Sequence, residues 1–142
     1  MSTLPVLVID DNEFIRASVI KFLDANRFTV VGVASVSEAI DQLREHTYGL
    51  IITDILMPDT DGIELIDFIR NGEEPLRSIP IIAISGGGRA IDADTILTAL
   101  EEKVDCILKK PFSKKELLEK TGLLLKKNNS GASSGHKAVT AD

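Results

Sequence analysis

The sequence predicts an α/β domain, a doubly wound parallel sheet of five strands with five helices on its two faces. Three observations carry this expectation. Short β-branched apolar runs alternate with longer amphipathic stretches through residues 1–127. The apolar runs are continuous rather than alternating, as strands buried on both faces require. Each run is followed by a helical pattern, and strict alternation of this kind favours parallel strands joined by right-handed crossovers.

The elements follow in order. Val6-Leu7-Val8-Ile9 reads as the first strand. Residues about 13–25 then place Ile15, Val19, Phe22 and Leu23 on one helical face. Residues 28–33 read as the second strand. Ser35 and Glu38 have capping-box spacing and open a second helix with Ala39, Ile40 and Leu43 inward. Residues 50–53 form the third strand, and Ile63, Ile66 and Ile69 mark a third helix after Gly62. Residues 81–84 form the fourth strand, with Ile96, Leu97 and Leu100 marking a fourth helix. Residues 106–108 make a short fifth strand. Ser113 and Glu116 form another capping box, opening a fifth helix that carries Leu117, Leu118 and Leu124.

Composition fits one ordinary domain. The chain has 142 residues, 44% hydrophobic and 27% charged, so extensive disorder, collagen and a disulfide scaffold are excluded. No apolar run approaches the roughly 20 residues of a spanning helix, and no secretory leader opens the chain. A lone cysteine, Cys106, cannot form an internal disulfide, which fits a reducing cytoplasm. The net charge of −6 argues against general nucleic-acid binding. That charge is uneven. Residues 1–108 hold 8 Lys and Arg against 19 Asp and Glu, whereas residues 109–127 hold 7 Lys against 2 Glu. Residues 128–142 are small and polar and read as a disordered tail after a domain over residues 1–127. A tail of that composition offers no core for a DNA-binding effector, so the output is expected to be protein binding, phosphate shuttling or a further domain, without direct nucleic-acid contact, and the short apolar runs give no expectation of membrane contact.

In open α/β sheets, ligands bind beyond the carboxyl ends of the strands. Strand one ends in Asp10-Asp11, strand three in Asp54, strand four in Ser85, and strand five in Lys109-Lys110-Pro111. The position after strand one carries two carboxylates, where a dinucleotide fold needs a glycine-rich phosphate turn. Three clustered carboxylates need a counter-charge, and an all-oxygen set points to a hard cation, most naturally Mg²⁺. Only one residue of the lysine pair can face the site, because adjacent strand residues point to opposite sides.

Asp10-Asp11, Asp54 with Met57-Pro58 and Asp61-Gly62, Ser85, and Lys110-Pro111-Phe112 together resemble the receiver domain of bacterial response regulators. The resemblance covers about residues 4–126. It implies the CheY-like (flavodoxin-like) strand order 2-1-3-4-5 and a stand-alone phosphoacceptor signalling domain of a two-component system. Asp54 would accept a phosphoryl group from a histidine kinase or histidine phosphotransfer protein. Asp11, Asp54 and the backbone carbonyl of Leu56 would hold Mg²⁺, with Asp10 acting mainly through a bound water. Lys110 and Ser85 would contact phosphoryl oxygens, and the Lys110-Pro111 bond would be cis. The output would be a downstream protein target, met at the surface of the fourth helix, fifth strand and fifth helix. The basic last segment suits an acidic partner there. A homodimer through the face near the fourth helix is compatible with the resemblance, though no residue set here requires it.

Two departures stand out. Ile107 occupies the position where receivers usually carry a Tyr or Phe that moves with the hydroxyl residue. The run Gly86-Gly87-Gly88 after Ser85 lengthens a connection and raises backbone freedom, suiting a moving loop or an anion nest. His46 and His136 are expected in solvent, away from the strand ends. Two other classes share parts of this residue set. A Mg²⁺-dependent aspartyl-phosphate phosphohydrolase usually has D-x-D on its nucleophile strand, but Asp54 is followed by Ile55-Leu56, so the general acid is missing. A degenerate receiver binding partners without phosphorylation would not need the complete acid, serine and lysine set. The chain is therefore not expected to be an enzyme beyond its own phosphorylation and slow dephosphorylation.

Overall fold

The structure, a computed structural model, describes residues 4–55, 62–85 and 100–134. Five strands, β1 (Val6–Ile9), β2 (Val30–Val33), β3 (Leu50–Asp54), β4 (Ile81–Ser85) and β5 (Cys106–Lys109), form one sheet in the order β2-β1-β3-β4-β5. Every pair is parallel, with Ile9 opposite Val33 on one side and Thr53 on the other. Thr53 lies opposite Ala83, and Ala83 opposite Ile107. The strand order agrees with the expectation. The second strand is shorter than expected, beginning at Val30.

Four helices lie among the described residues: α1 (Glu13–Ala25), α2 (Val36–Glu45), α3 (Gly62–Arg70) and α4 (Lys114–Ser134). The expected fourth helix falls on residues outside the described set, apart from Leu100, which is buried. The C-terminal α4 is thus the fifth helix of the sequence reading. Its backbone stays helical to Ser134, past residue 127 where the sequence reading starts a disordered tail. Extending a formed helix adds one hydrogen bond per residue fixed, so propagation is far easier than nucleation.

Alternating strand residues build two cores. Leu7, Ile9, Ile51, Ile81 and Ala83 meet Val36, Ala39 and Leu43 of α2 and Leu65, Ile66 and Ile69 of α3. Val6, Val8, Leu50, Ile52, Ile82, Ile84 and Leu108 meet Val19 and Leu23 of α1 and Leu117, Leu124 and Leu125 of α4. Burial of an aliphatic side chain contributes about 1.5–3 kcal/mol, so these two layers hold the sheet rigid under its loops.

Caps fix where the helices begin. The Ser35 hydroxyl accepts from Glu38 N–H at 3.1 Å, and the Glu38 carboxylate accepts from Ala34 N–H at 3.1 Å. The Ser113 hydroxyl accepts from Glu116 N–H at 3.0 Å. Helix α1 ends in a Schellman motif: Phe28 N–H donates to Leu23 O and Arg27 N–H to Asp24 O. Arg27 sits there at φ 76°, a left-handed position that usually favours glycine. No helix among the described residues is long and apolar enough to cross a membrane.

Candidate functional site

The chain reverses direction of growth at β1, which lies between β2 and β3. A crevice therefore opens beyond the carboxyl ends of β1 and β3, the place where doubly wound sheets bind ligands. Asp10 and Asp11 follow β1, and Asp54 ends β3. Their carboxylates converge, each offering an oxygen within 4.8 Å of the others. Asp10 and Asp54 are only 3% and 5% exposed, while Asp11 faces solvent. Lys110 follows β5 and extends its ammonium to 3.5 Å from Asp54 Oδ2. Lys109 is exposed at the strand end, so Lys110 is the one of the pair that meets the acids. The Lys110-Pro111 bond is cis. Ser85, at the end of β4, is buried beside this edge.

The acids are not helix caps. Asn12 caps α1, its side-chain oxygen accepting from Ile15 N–H at 3.0 Å, which leaves Asp11 out of that role. Asn12 also donates its own N–H to Asp10 Oδ1 at 2.9 Å. Asp10 is anchored further through its N–H, which donates to Val33 O, and its carbonyl, which accepts from Arg16 Nη1 at 2.8 Å. Burial holds the Asp10 carboxyl above the usual carboxylate range. The charges of Asp54 and Asp11 push the same way, against the Asn12 N–H and the Lys110 ammonium. A buried acid raised by its like-charged neighbours is one whose ionised form lacks enough counter-charge.

The residues fit a hard cation. The donor set is all oxygen, and its charge excess sits where the burial is greatest. Oxygens on opposite sides of a bound Mg²⁺ are about 4.2 Å apart, so a 4.8 Å cluster closes on one with small side-chain adjustments.

Leu56, Met57, Pro58, Asp61, the run Gly86–Gly88 and His136 lie outside the described residues. His46 is exposed. Ile107 is half-buried and packs against the α2–α3 core, opposite Ala83 in the sheet. The sequence reading missed Asn12 and Arg16. An Asn directly before a helical pattern is a cap signal and could have been found. Nothing in the spacing marks Arg16, whose contact is made only once the strand and helix are folded together.

Comparisons with known proteins agree with this geometry. A family model described as the response regulator receiver domain matches residues 6–121. Response regulator Rre1 of Synechocystis sp. is 29% identical over 137 residues, covering 96% of this chain and 58% of its own. Protein PetR of Rhodobacter capsulatus is 31% identical over 142 residues, covering 99% of this chain and 57% of its own. The chain thus spans little more than half the length of these relatives. Among solved structures, a CheY-like response regulator receiver domain protein from Methanospirillum hungatei superposes with a TM-score of 0.77 at 24% identity, covering 91% of this chain and 98% of that one. With the strand order, the acid cluster and the matched span in agreement, the chain belongs to the response regulator receiver domain family.

Proposed function

We propose that the chain is the phosphoacceptor of a two-component system, taking a phosphoryl group on Asp54 from a histidine kinase or histidine phosphotransfer protein. The observation that carries this reading is the convergence of three carboxylates within 4.8 Å, with Lys110 3.5 Å from Asp54.

The chemistry follows from the groups at the edge. An Asp54 oxygen attacks phosphorus in line, the new P–O bond forms as the bond to the donor nitrogen breaks, and that nitrogen leaves with its electron pair and takes a proton. The Lys110 ammonium sits where it pairs with charge on a transferred oxygen. The Ser85 hydroxyl, at the end of the adjacent strand, is the donor for another. Mg²⁺, when bound by Asp10, Asp11, Asp54 and the carbonyl of Leu56, supplies positive charge that offsets the acceptor carboxylate and the incoming phosphoryl group. Asp10 and Asp11 have no transferable role beyond holding that charge. Slow loss of the acyl phosphate to water returns the domain to its starting state, so it is a switch rather than an enzyme acting on other molecules.

The output of the switch is altered affinity for a downstream protein at the surface around β5 and α4. Lys109, Lys114, Lys115 and Lys126 are exposed there, which favours an acidic partner bound with marked salt dependence. The absence of a suitable spanning helix among the described residues and the lone half-buried cysteine are consistent with a cytoplasmic setting.

The test is intact mass after incubation with acetyl phosphate and Mg²⁺. One phosphoryl group is gained by the native chain and none by Asp54→Ala. No gain by the native chain, with a donor shown competent on another receiver, overturns the proposal and leaves a receiver that binds partners without phosphorylation.

A further inference from the structure

Arg16 touches none of the three carboxylates, yet it is bonded to the strand end that presents two of them. It lies on the first turns of α1, where its N–H donates to Asn12 O at 2.9 Å. A helical side chain leans toward the N-terminus of its helix. That lean takes the Arg16 guanidinium back over the turn, where Nη1 donates to the backbone carbonyl of Asp10 at 2.8 Å. The stem passes beside Gly32 on β2, where an added Cβ would only touch Arg16 Cγ at 3.4 Å.

The Asp10 carbonyl belongs to the peptide plane that leads into Asp11. Four bonds surround that plane. Asp10 N–H donates to Val33 O, Asn12 N–H donates to Asp10 Oδ1, Asn12 Oδ1 accepts from Ile15 N–H, and Arg16 holds the carbonyl. The first three set the strand end, the Asp10 rotamer and the start of the helix. The Arg16 bond grips this peptide plane directly at its oxygen, alongside the ring that Asn12 N–H closes with Asp10 Oδ1 across Asp11, and so helps set the direction in which the exposed Asp11 side chain leaves the backbone. Asp11 is the acid of the trio with least packing to fix it.

We propose that Arg16 is a positioning residue for the metal site, orienting Asp11 against Asp10 and Asp54 by holding the Asp10 carbonyl. This rests on the reading of the acid trio as a Mg²⁺ site. Partners that orient ligands typically change metal affinity about 10–100-fold when removed.

The experiment is a calorimetric titration with MgCl₂ alone, on the native chain, Arg16→Met, Arg16→Lys and Leu43→Ala. Methionine keeps the stem and removes every donor, lysine restores one donor, and Leu43→Ala weakens the fold from α2 without touching this edge. Mg²⁺ affinity is expected to fall roughly 10-fold or more in Arg16→Met, to recover partly in Arg16→Lys, and to stay within about twofold in Leu43→Ala. If Arg16→Met does not fold, Arg16→Gln, too short to reach the carbonyl, is read against the same threshold. Affinity within about twofold of native for the donor-less variant, or an equal loss in Leu43→Ala, makes Arg16 merely structural and overturns the proposal. A native chain that binds no Mg²⁺ overturns the metal-site reading as well, so the two failures are distinguishable.

Discussion

Asp10→Asn should make the metal-free protein more stable. Asparagine keeps the shape, and its oxygen can still accept from the Asn12 N–H that now reaches Asp10 Oδ1 at 2.9 Å. What disappears is a negative charge on a group 3% exposed. Two unit charges within 4.8 Å repel by about 3.5 kcal/mol at an effective dielectric constant near 20. The Lys110 ammonium offsets part of this, and water screens the exposed Asp11, so a net gain of about 1–3 kcal/mol is expected at pH 7. The gain must depend on pH. The folded Asp10 carboxyl titrates above its unfolded value, so the fold binds the extra proton. The native chain therefore loses stability as pH rises from the usual carboxylate range through the raised folded value. Below that window both chains are neutral at this position and the gain vanishes. Urea unfolding in EDTA at pH 4, 5.5 and 7.5 measures it, with about 4 °C in Tm per kcal/mol as a thermal check. A variant no more stable than native at pH 7.5, or a gain that does not shrink toward pH 4, refutes the reasoning.

Other substitutions probe the frame. Arg27→Gly relieves a non-glycine residue at φ 76° in the α1 Schellman motif and should stabilise by about 1 kcal/mol in urea unfolding. Thr121→Val should stabilise by about 1–2 kcal/mol in the same assay, because the fully buried Thr121 hydroxyl has no hydrogen-bond partner. Arg70→Met should cost about 2–4 kcal/mol. It removes donors to the carbonyls of Lys103, Arg77 and Ile79 and the ion pair with Asp105 at 3.2 Å. Its Mg²⁺ affinity, measured by calorimetry, should not change, since Arg70 lies at the opposite edge of the sheet from the acids.

Legibility in the sequence followed the range of the interaction. Strands β1, β3, β4 and β5 were readable to within a residue because a sheet covered on both faces keeps strand interiors mainly apolar, with Thr53 of β3 a buried exception. The span of α1 was readable from its apolar face, and the start of α2 from Ser35 with Glu38, a contact made across three positions. Asp10, Asp11, Asp54 and Lys110 were readable because a strand end fixes where a residue lies, and four strand ends of a doubly wound sheet lie together. Burial within a helical face was less exact. Ile15 and Phe22 are half-buried where Val19 and Leu23 are fully enclosed. The roles of Arg16 and Arg70 were not readable at all. Both donate to backbone carbonyls, which every residue carries, and the carboxylate partner of Arg70, Asp105, lies 35 positions away in the sequence.

The two edges of the sheet are built on opposite principles. At the amino edge, Arg70 meets its acceptors, and Asp105 accepts both from Arg70 and from Ile81 N–H at 2.9 Å. Lys103 reaches Asp67 on α3 at 2.8 Å. Charge there is matched, and the bonds join α3 to the starts of β4 and β5. At the carboxyl edge, charge is mismatched. Among the described residues, Lys110 is the ammonium seen beside the three acids, two of which are buried. The cluster is carried on β1 and β3, whose register is held by their own pairing and by the cores on both faces. The like-charge repulsion falls on side chains at these strand ends, where a bound cation would relieve it. The like charges of the acid cluster therefore sit at the opposite ends of the strands from the more fully paired amino edge.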